Sequence, residues 1–97
     1  MILTGRGVLD DFISKHVDAK NWVNDWIADV EGSSWRNPSD IKATYSSVSF
    51  VGKVVIFNVK GNKYRMETKV AYNTGTVQVT WIGTHAAYDK RNEKVTR

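Results

Sequence analysis

The sequence predicts an α+β domain, with two amphipathic helices in its first third and a small antiparallel sheet in its second half. Three observations lead there. Apolar residues recur at three- and four-residue spacing up to Val30, alternating β-branched and aromatic residues take over after Val51, and a Gly, Ser and Pro-containing stretch separates the two patterns. At 97 residues and 41% hydrophobic side chains the chain can build one core and is too short for two, so residues 1–97 are expected to form a single domain.

Met1-Ile2-Leu3-Thr4 is a short apolar segment able to add a strand. Val8, Leu9, Phe12 and Ile13 mark one face of a first helix, and Ala19, Trp22, Val23, Trp26, Ile27 and Val30 mark a second more strictly. Asp18 suits the N-cap of this second helix and Gly32 its stop, with Lys20, Asn21, Asn24, Asp25 and Asp29 facing outward. Trp22 and Trp26 therefore belong to the core rather than to a ligand site. Gly32 to Pro38 is a connection, and Pro38-Ser39-Asp40 opens a helical turn ending by Ala43 or Thr44. Strands follow over Lys53–Lys60, Lys63–Ala71 and Thr76–Gly83.

Two polar clusters sit at strand ends: Asn58 with Gly61-Asn62-Lys63-Tyr64-Arg65, and Thr84-His85-Ala86-Ala87-Tyr88-Asp89-Lys90. Strand parity brings them together. A type II′ turn at Gly61-Asn62 pairs Lys60 with Lys63, which sets Val59 opposite Tyr64, Phe57 opposite Met66, Val55 opposite Thr68, Asn58 opposite Arg65 and Ile56 opposite Glu67. A four-residue loop from Tyr72 to Gly75 pairs Val70 with Val77, Thr68 with Val79 and Met66 with Trp81. One face becomes apolar and awaits the helices. The other collects Asn58, Lys60, Lys63, Arg65, Glu67, Lys69, Gln78 and Thr80 and runs out near Thr84 and His85. A one-residue slip would bury these charges without partners, which their desolvation cost forbids. Ile56 and Ile82 also fall on the polar face, as a groove floor or beneath the segment after His85.

Charge divides along the chain. Residues 1–40 carry four basic and seven acidic side chains, residues 41–97 ten basic and three acidic, for a net +4. A polyanion bound to the C-terminal half, nucleic acid above all, accounts for that division, although a merely solvated basic surface would look the same. Both helices are acidic on their outer faces, which argues against a DNA-recognition helix. No cysteine is present and the two histidines are far apart in sequence, so neither a disulfide framework, nor a zinc site, nor any cofactor is expected. No apolar run approaches a membrane span, and the expected compartment is the cytoplasm.

The segments Asp40-Ile41-Lys42-Ala43, Phe57-Asn58-Val59-Lys60-Gly61-Asn62-Lys63-Tyr64-Arg65 and Gly83-Thr84-His85-Ala86-Ala87-Tyr88-Asp89-Lys90 resemble the HigB family of bacterial toxins. Those are RelE-like members of type II toxin-antitoxin systems, mRNA interferases that cut messenger RNA in the translating ribosome. The resemblance spans nearly the whole chain. It departs from the family at Ala87, where glutamate is usual, at Val17, where proline is frequent, and at Met1-Ile2-Leu3-Thr4, which lacks a common basic residue. It implies an antiparallel sheet with two helices on one face and an RNA-binding surface on the other, together with mRNA, the ribosome and a HigA-like helix-turn-helix antitoxin as partners.

It also implies metal-free cleavage, in which the substrate 2′-hydroxyl attacks the adjacent phosphate to leave a 2′,3′-cyclic phosphate and a 5′-hydroxyl. The residues can be assigned to that chemistry. Arg65 suits the extra charge on the phosphorane, and His85, kept neutral by surrounding cations, is the general base or acid. Tyr88 is an acid or a stacking ring, and Asp89 orients His85 or Lys90. Asn58, Lys60, Lys63, Lys90 and Arg91 complete the RNA-binding surface. Packing and capping at the C-terminal turn would equally account for Tyr88 and Asp89. A non-catalytic RNA- or ribosome-binding module is the competing reading of the same basic face.

Overall fold

The computed structural model describes residues 1–95. In chain order it contains β1 (Ile2–Thr4), α1 (Arg6–Lys15), a single 3₁₀ turn (Val17–Ala19), α2 (Lys20–Glu31), α3 (Pro38–Thr44), β2 (Ser49–Val51), β3 (Val54–Val59), β4 (Tyr64–Ala71), β5 (Thr76–Thr84) and α4 (His85–Val95). The five strands form one sheet in the order β1, β5, β4, β3, β2. It is mixed rather than purely antiparallel, because β1 lies parallel to β5 with Ile2 opposite Thr76 and Thr4 opposite Gln78. A parallel neighbour needs a long crossover, and everything between β1 and β5 supplies it. The chain turns from β1 into α1 at Gly5, whose φ of 81° and close approach to the Val79 carbonyl leave no room for a Cβ.

The apolar stripes do what their period demands. Leu9 and Phe12 of α1 and Val23, Trp26, Ile27 and Val30 of α2 share one buried cluster with Val55, Phe57, Val59, Met66, Val77 and Val79 of the sheet. Aromatic contacts stitch these layers: Trp26 meets the edge of Phe57 at 5.4 Å, Tyr45 does the same at 5.4 Å, and Phe12 meets Tyr64 at 5.0 Å. Full burial of each such ring is worth about 1.5–3 kcal/mol, so this cluster carries most of the fold's stability. The short α3 starts where Pro38 fixes the first turn and Asn37 caps it, its side chain accepting from the Asp40 amide at 3.1 Å.

Of these local expectations, the Asp18 cap needs correction. Asp18 does not cap α2: the 3₁₀ turn intervenes, and its carboxylate instead accepts from Tyr64 and Lys63. Gly32 does end α2, but in a right-handed conformation (φ −88°) rather than the left-handed one a glycine stop usually takes. The β3–β4 register is as the turn chemistry predicts, Asn58 opposite Arg65 and Phe57 opposite Met66, with Gly61 at φ 69°. Lys60 also adopts a positive φ, 53°, a costlier conformation for a side chain with a Cβ.

The β4–β5 register holds only for its first half. Val70 faces Val77 and Thr68 faces Val79, but Glu67 faces Trp81 and Met66 faces Ile82. Thr80 is the extra residue of a β-bulge, and its hydroxyl donates to the Glu67 carbonyl at 3.1 Å. The bulge reverses parity beyond it. Ile82 turns into the core at 8% exposure, while Trp81, expected opposite Met66 on the apolar face, turns to the polar one. The other misfit, Ile56, remains on the polar face opposite Glu67 and is nevertheless buried, as is Tyr88 of α4, both outside the main core cluster. Tyr88, its ring 6.2 Å from that of Trp81, helps to seat α4 on the sheet.

Candidate functional site

The last turn of β5 runs straight into α4, and Thr84 makes the junction. Its hydroxyl accepts from the Ala87 amide at 3.1 Å, an N-cap that fixes where the helix begins. His85 is consequently the first residue of α4, projecting where β4 delivers Arg65 from the strand beside it. Arg65 is opposite Gly83, so the position facing it across the ladder has no side chain. The guanidinium Nε–H donates to His85 Nε2 at 3.0 Å. A nitrogen that accepts cannot carry a proton, so in this contact the imidazole is neutral with its hydrogen on Nδ1. That Nδ1 faces the Asp89 carboxylate, one helical turn on, at 3.8 Å. The Arg65 guanidinium also lies over the Tyr88 ring, 4.6 Å from its centroid.

Beyond Tyr88 the array continues along the sheet. Tyr88 and Trp81 are 6.2 Å apart, and Trp81 lies under the Arg91 guanidinium at 4.6 Å. Arg91 in turn pairs with Glu67 at 3.3 Å, a carboxylate only 14% exposed. Trp81 folds back over Gly83: a Cβ there would lie 2.5 Å from its Cζ2. Arg65, His85, Tyr88 and Asp89 therefore converge as the sequence anticipated, and Arg91 joins them through Trp81 and Glu67.

The remaining basic residues are placed differently. Lys60 donates to the Asp18 carbonyl at 3.0 Å and Lys63 to the Asp18 carboxylate at 2.5 Å, so both amines lie against the α1–α2 junction and not beside Arg65. The partly buried Tyr64 hydroxyl donates to the same carboxylate at 2.9 Å. Hydrogen bonds from Lys63 and then Tyr64 hold the Asp18 carboxyl at about 2, well below its usual range, and the same contact with Asp18 raises Lys63. The cause is local: a buried phenol needs an acceptor, and Asp18 is the acceptor the 3₁₀ turn provides. Asn58 donates to the Ser47 carbonyl at 3.2 Å and so braces the loop before β2 rather than reaching Arg65. Lys90 is exposed on α4.

Sequence reasoning placed Glu67 on this face without giving it a role and assigned Trp81 to the core. The signal was present, since one inserted residue between Val79 and Ile82 would have returned Ile82 to the core and brought Trp81 out. A cavity of about 540 Å³, lined by Phe50, Val55, Val70 and Tyr72 among others, lies at the far end of the hairpins. Among the described residues no three His, Cys, Asp or Glu side chains cluster as a metal site would require.

Fold and site together define a small α+β protein in which an arginine of the sheet meets a histidine at the start of α4, away from the core that α1 and α2 share with the sheet. Comparison with known families narrows this. Residues 19–91 match the HigB toxin model, the RelE-like toxic component of a toxin-antitoxin system, and the chain belongs to that family. Membership implies an antitoxin partner. No curated protein sequence matches the chain. No helix among the described residues is long and apolar enough to cross a membrane.

Proposed function

We propose that the protein is a ribosome-dependent endoribonuclease that cleaves translated mRNA in the cytoplasm, using Arg65, His85, Tyr88 and Asp89. The observation that carries this reading is the 3.0 Å contact from Arg65 to a neutral His85, a phosphate-binding group held against a proton acceptor. An incoming phosphate competes for the guanidinium, whose planar fork suits two oxygens, and draws Arg65 away from the imidazole. His85 Nε2 is then free to take the proton of the 2′-hydroxyl. The 2′-oxygen–phosphorus bond forms, the phosphorus–5′-oxygen bond breaks, and the leaving oxygen takes a proton from water, to which the His85 imidazolium returns the proton it removed. Arg65 meets the charge of the phosphorane, while the Tyr88 ring lies against the guanidinium and the Asp89 carboxylate, 3.8 Å from Nδ1, biases the imidazole toward the tautomer that carries its proton there.

The test is a 5′-end map of mRNA from a translation reaction containing the purified protein, with and without EDTA, beside His85→Ala. Expected are cuts that require translation, survive EDTA and fall by about 10²- to 10⁴-fold in the variant. Ribosome binding without any cleavage would overturn the proposal in favour of a non-catalytic module.

A further inference from the structure

Glu67 is an acid on a face proposed to receive RNA, where its charge would repel phosphate. It is nearly buried there, and its partner is Arg91. Arg91 carries out two contacts at once, the ion pair with Glu67 on β4 and the stack on Trp81 of β5, and so joins the second turn of α4 to both strands that deliver the site. Among residues 85–91 of α4, Tyr88 is the one that is buried. With a single buried side chain in this stretch, the helix needs a fixed point beyond its first turn if His85 and Tyr88 are to keep their places.

We propose that Glu67, Trp81 and Arg91 form a clamp that positions α4, and that Arg91 serves the reaction through His85 and not by binding RNA. The inference deepens the cleavage reading and rests on it for its kinetic consequence. Its structural consequence stands in the free protein. The bulge at Thr80 is what makes the clamp possible, since without it Trp81 would point into the core and Arg91 would have no platform. The ion pair is directional and partly desolvated, so replacing its carboxylate by an amide keeps shape but removes the charge that fixes the guanidinium. Once Arg91 is released, α4 pivots at the Thr84 cap and the Arg65–His85 contact loosens.

The experiment compares Glu67→Gln, Trp81→Phe and Trp81→Ala with the wild-type chain. Ring nitrogen shifts of His85 are read by NMR without RNA, with His16→Gln used to assign the two histidines. The wild type is expected to show the Nδ1-protonated tautomer with Nε2 in a hydrogen bond. Glu67→Gln and Trp81→Ala are expected to show tautomer exchange, and Trp81→Phe, which keeps a ring for Arg91, to resemble the wild type. In the translation assay, kcat should fall about 10- to 100-fold in the first two with little change in KM, the loss expected when a reacting group shifts by about 1 Å. If Glu67→Gln and Trp81→Ala lower only the melting temperature and leave the His85 signature intact, the clamp is an ordinary surface contact and the proposal fails. A shifted tautomer in a protein whose wild type cuts no RNA supports the clamp while refuting the cleavage reading, so the two failures are told apart.

Discussion

Replacing Gly83 by alanine tests the geometry on which the site depends. In a strand this exchange ordinarily stabilises by about 0.5–1 kcal/mol, because glycine loses more freedom on folding. Here the new Cβ would stand 2.5 Å from Trp81 Cζ2 and 2.7 Å from Cη2, whereas carbon atoms settle at about 3.5–4.0 Å. The indole must withdraw by about 1 Å, away from its place between Arg91 and Tyr88. Overpacking of this kind costs about 1–3 kcal/mol, and after the strand gain a net loss of about 1–2 kcal/mol remains. For a domain of this size that lowers Tm by about 5–15 °C. Thermal unfolding followed by circular dichroism measures it, with Trp81→Ala as a second background. There the overlap is gone, and Gly83→Ala should be neutral or slightly stabilising. Equal destabilisation in both backgrounds, or a single variant that melts no lower than the wild type, would refute the placement of Trp81 over Gly83.

Three further outcomes follow from the same packing. Asp18→Asn removes a carboxylate whose folded pKa, about 2, lies below its unfolded value of 3.8; the stability it contributes is present above about pH 4 and lost as pH falls towards 2. Urea midpoints should therefore separate wild type and variant at pH 7 and 4 and converge near pH 2, and a gap that stays constant over that range contradicts the Asp18 anchor. Phe57→Ala should cost about 3–5 kcal/mol, since the ring is 1% exposed and holds Trp26, Tyr45 and Trp35 around it, as a urea titration will show. Thr84→Ala should cost about 1 kcal/mol and speed amide exchange in the first turn of α4 about fivefold, whereas unchanged exchange at Ala87 would show that the cap is not what starts the helix.

Much of this fold is legible in local chemistry. The helical stripe from Ala19 to Val30, the Pro38 start of α3 and the turn at Gly61 are decided within a few residues, by period, by a missing N–H and by tolerance of positive φ. The β3–β4 register follows from that turn alone, and it placed Asn58 opposite Arg65 without knowledge of anything distant. The convergence of Arg65 with His85 was readable only in part: the Gly61 turn fixes the face that Arg65 takes, but the bulge at Thr80 reverses the parity that plain alternation would carry on to His85. Where Asp18, Lys60 and Lys63 end up was not readable. Their partners are more than 40 residues away in the chain, and a carboxylate offered to a helix start or to a buried phenol looks the same in sequence.

The bulge at Thr80 marks the boundary between the two kinds of information. Alternation alone carries Trp81 to the apolar face and Ile82 to the polar one, because parity has a period of two and cannot register an inserted residue. Packing decides otherwise. The core gains Ile82, and Trp81 becomes the platform for Arg91 because α4 lies there to receive it. The sequence by itself determined α1 and α2, the start of α3, the strands β3, β4 and β5, the β3–β4 register and the chemistry available at the two clusters, all set by interactions a few residues apart, whereas β2 and α4 were not foreseen. Tertiary structure alone decided which cations remain at the site and which are held by Asp18, since charges choose partners by distance in space, and that distance exists only once the sheet and helices have packed.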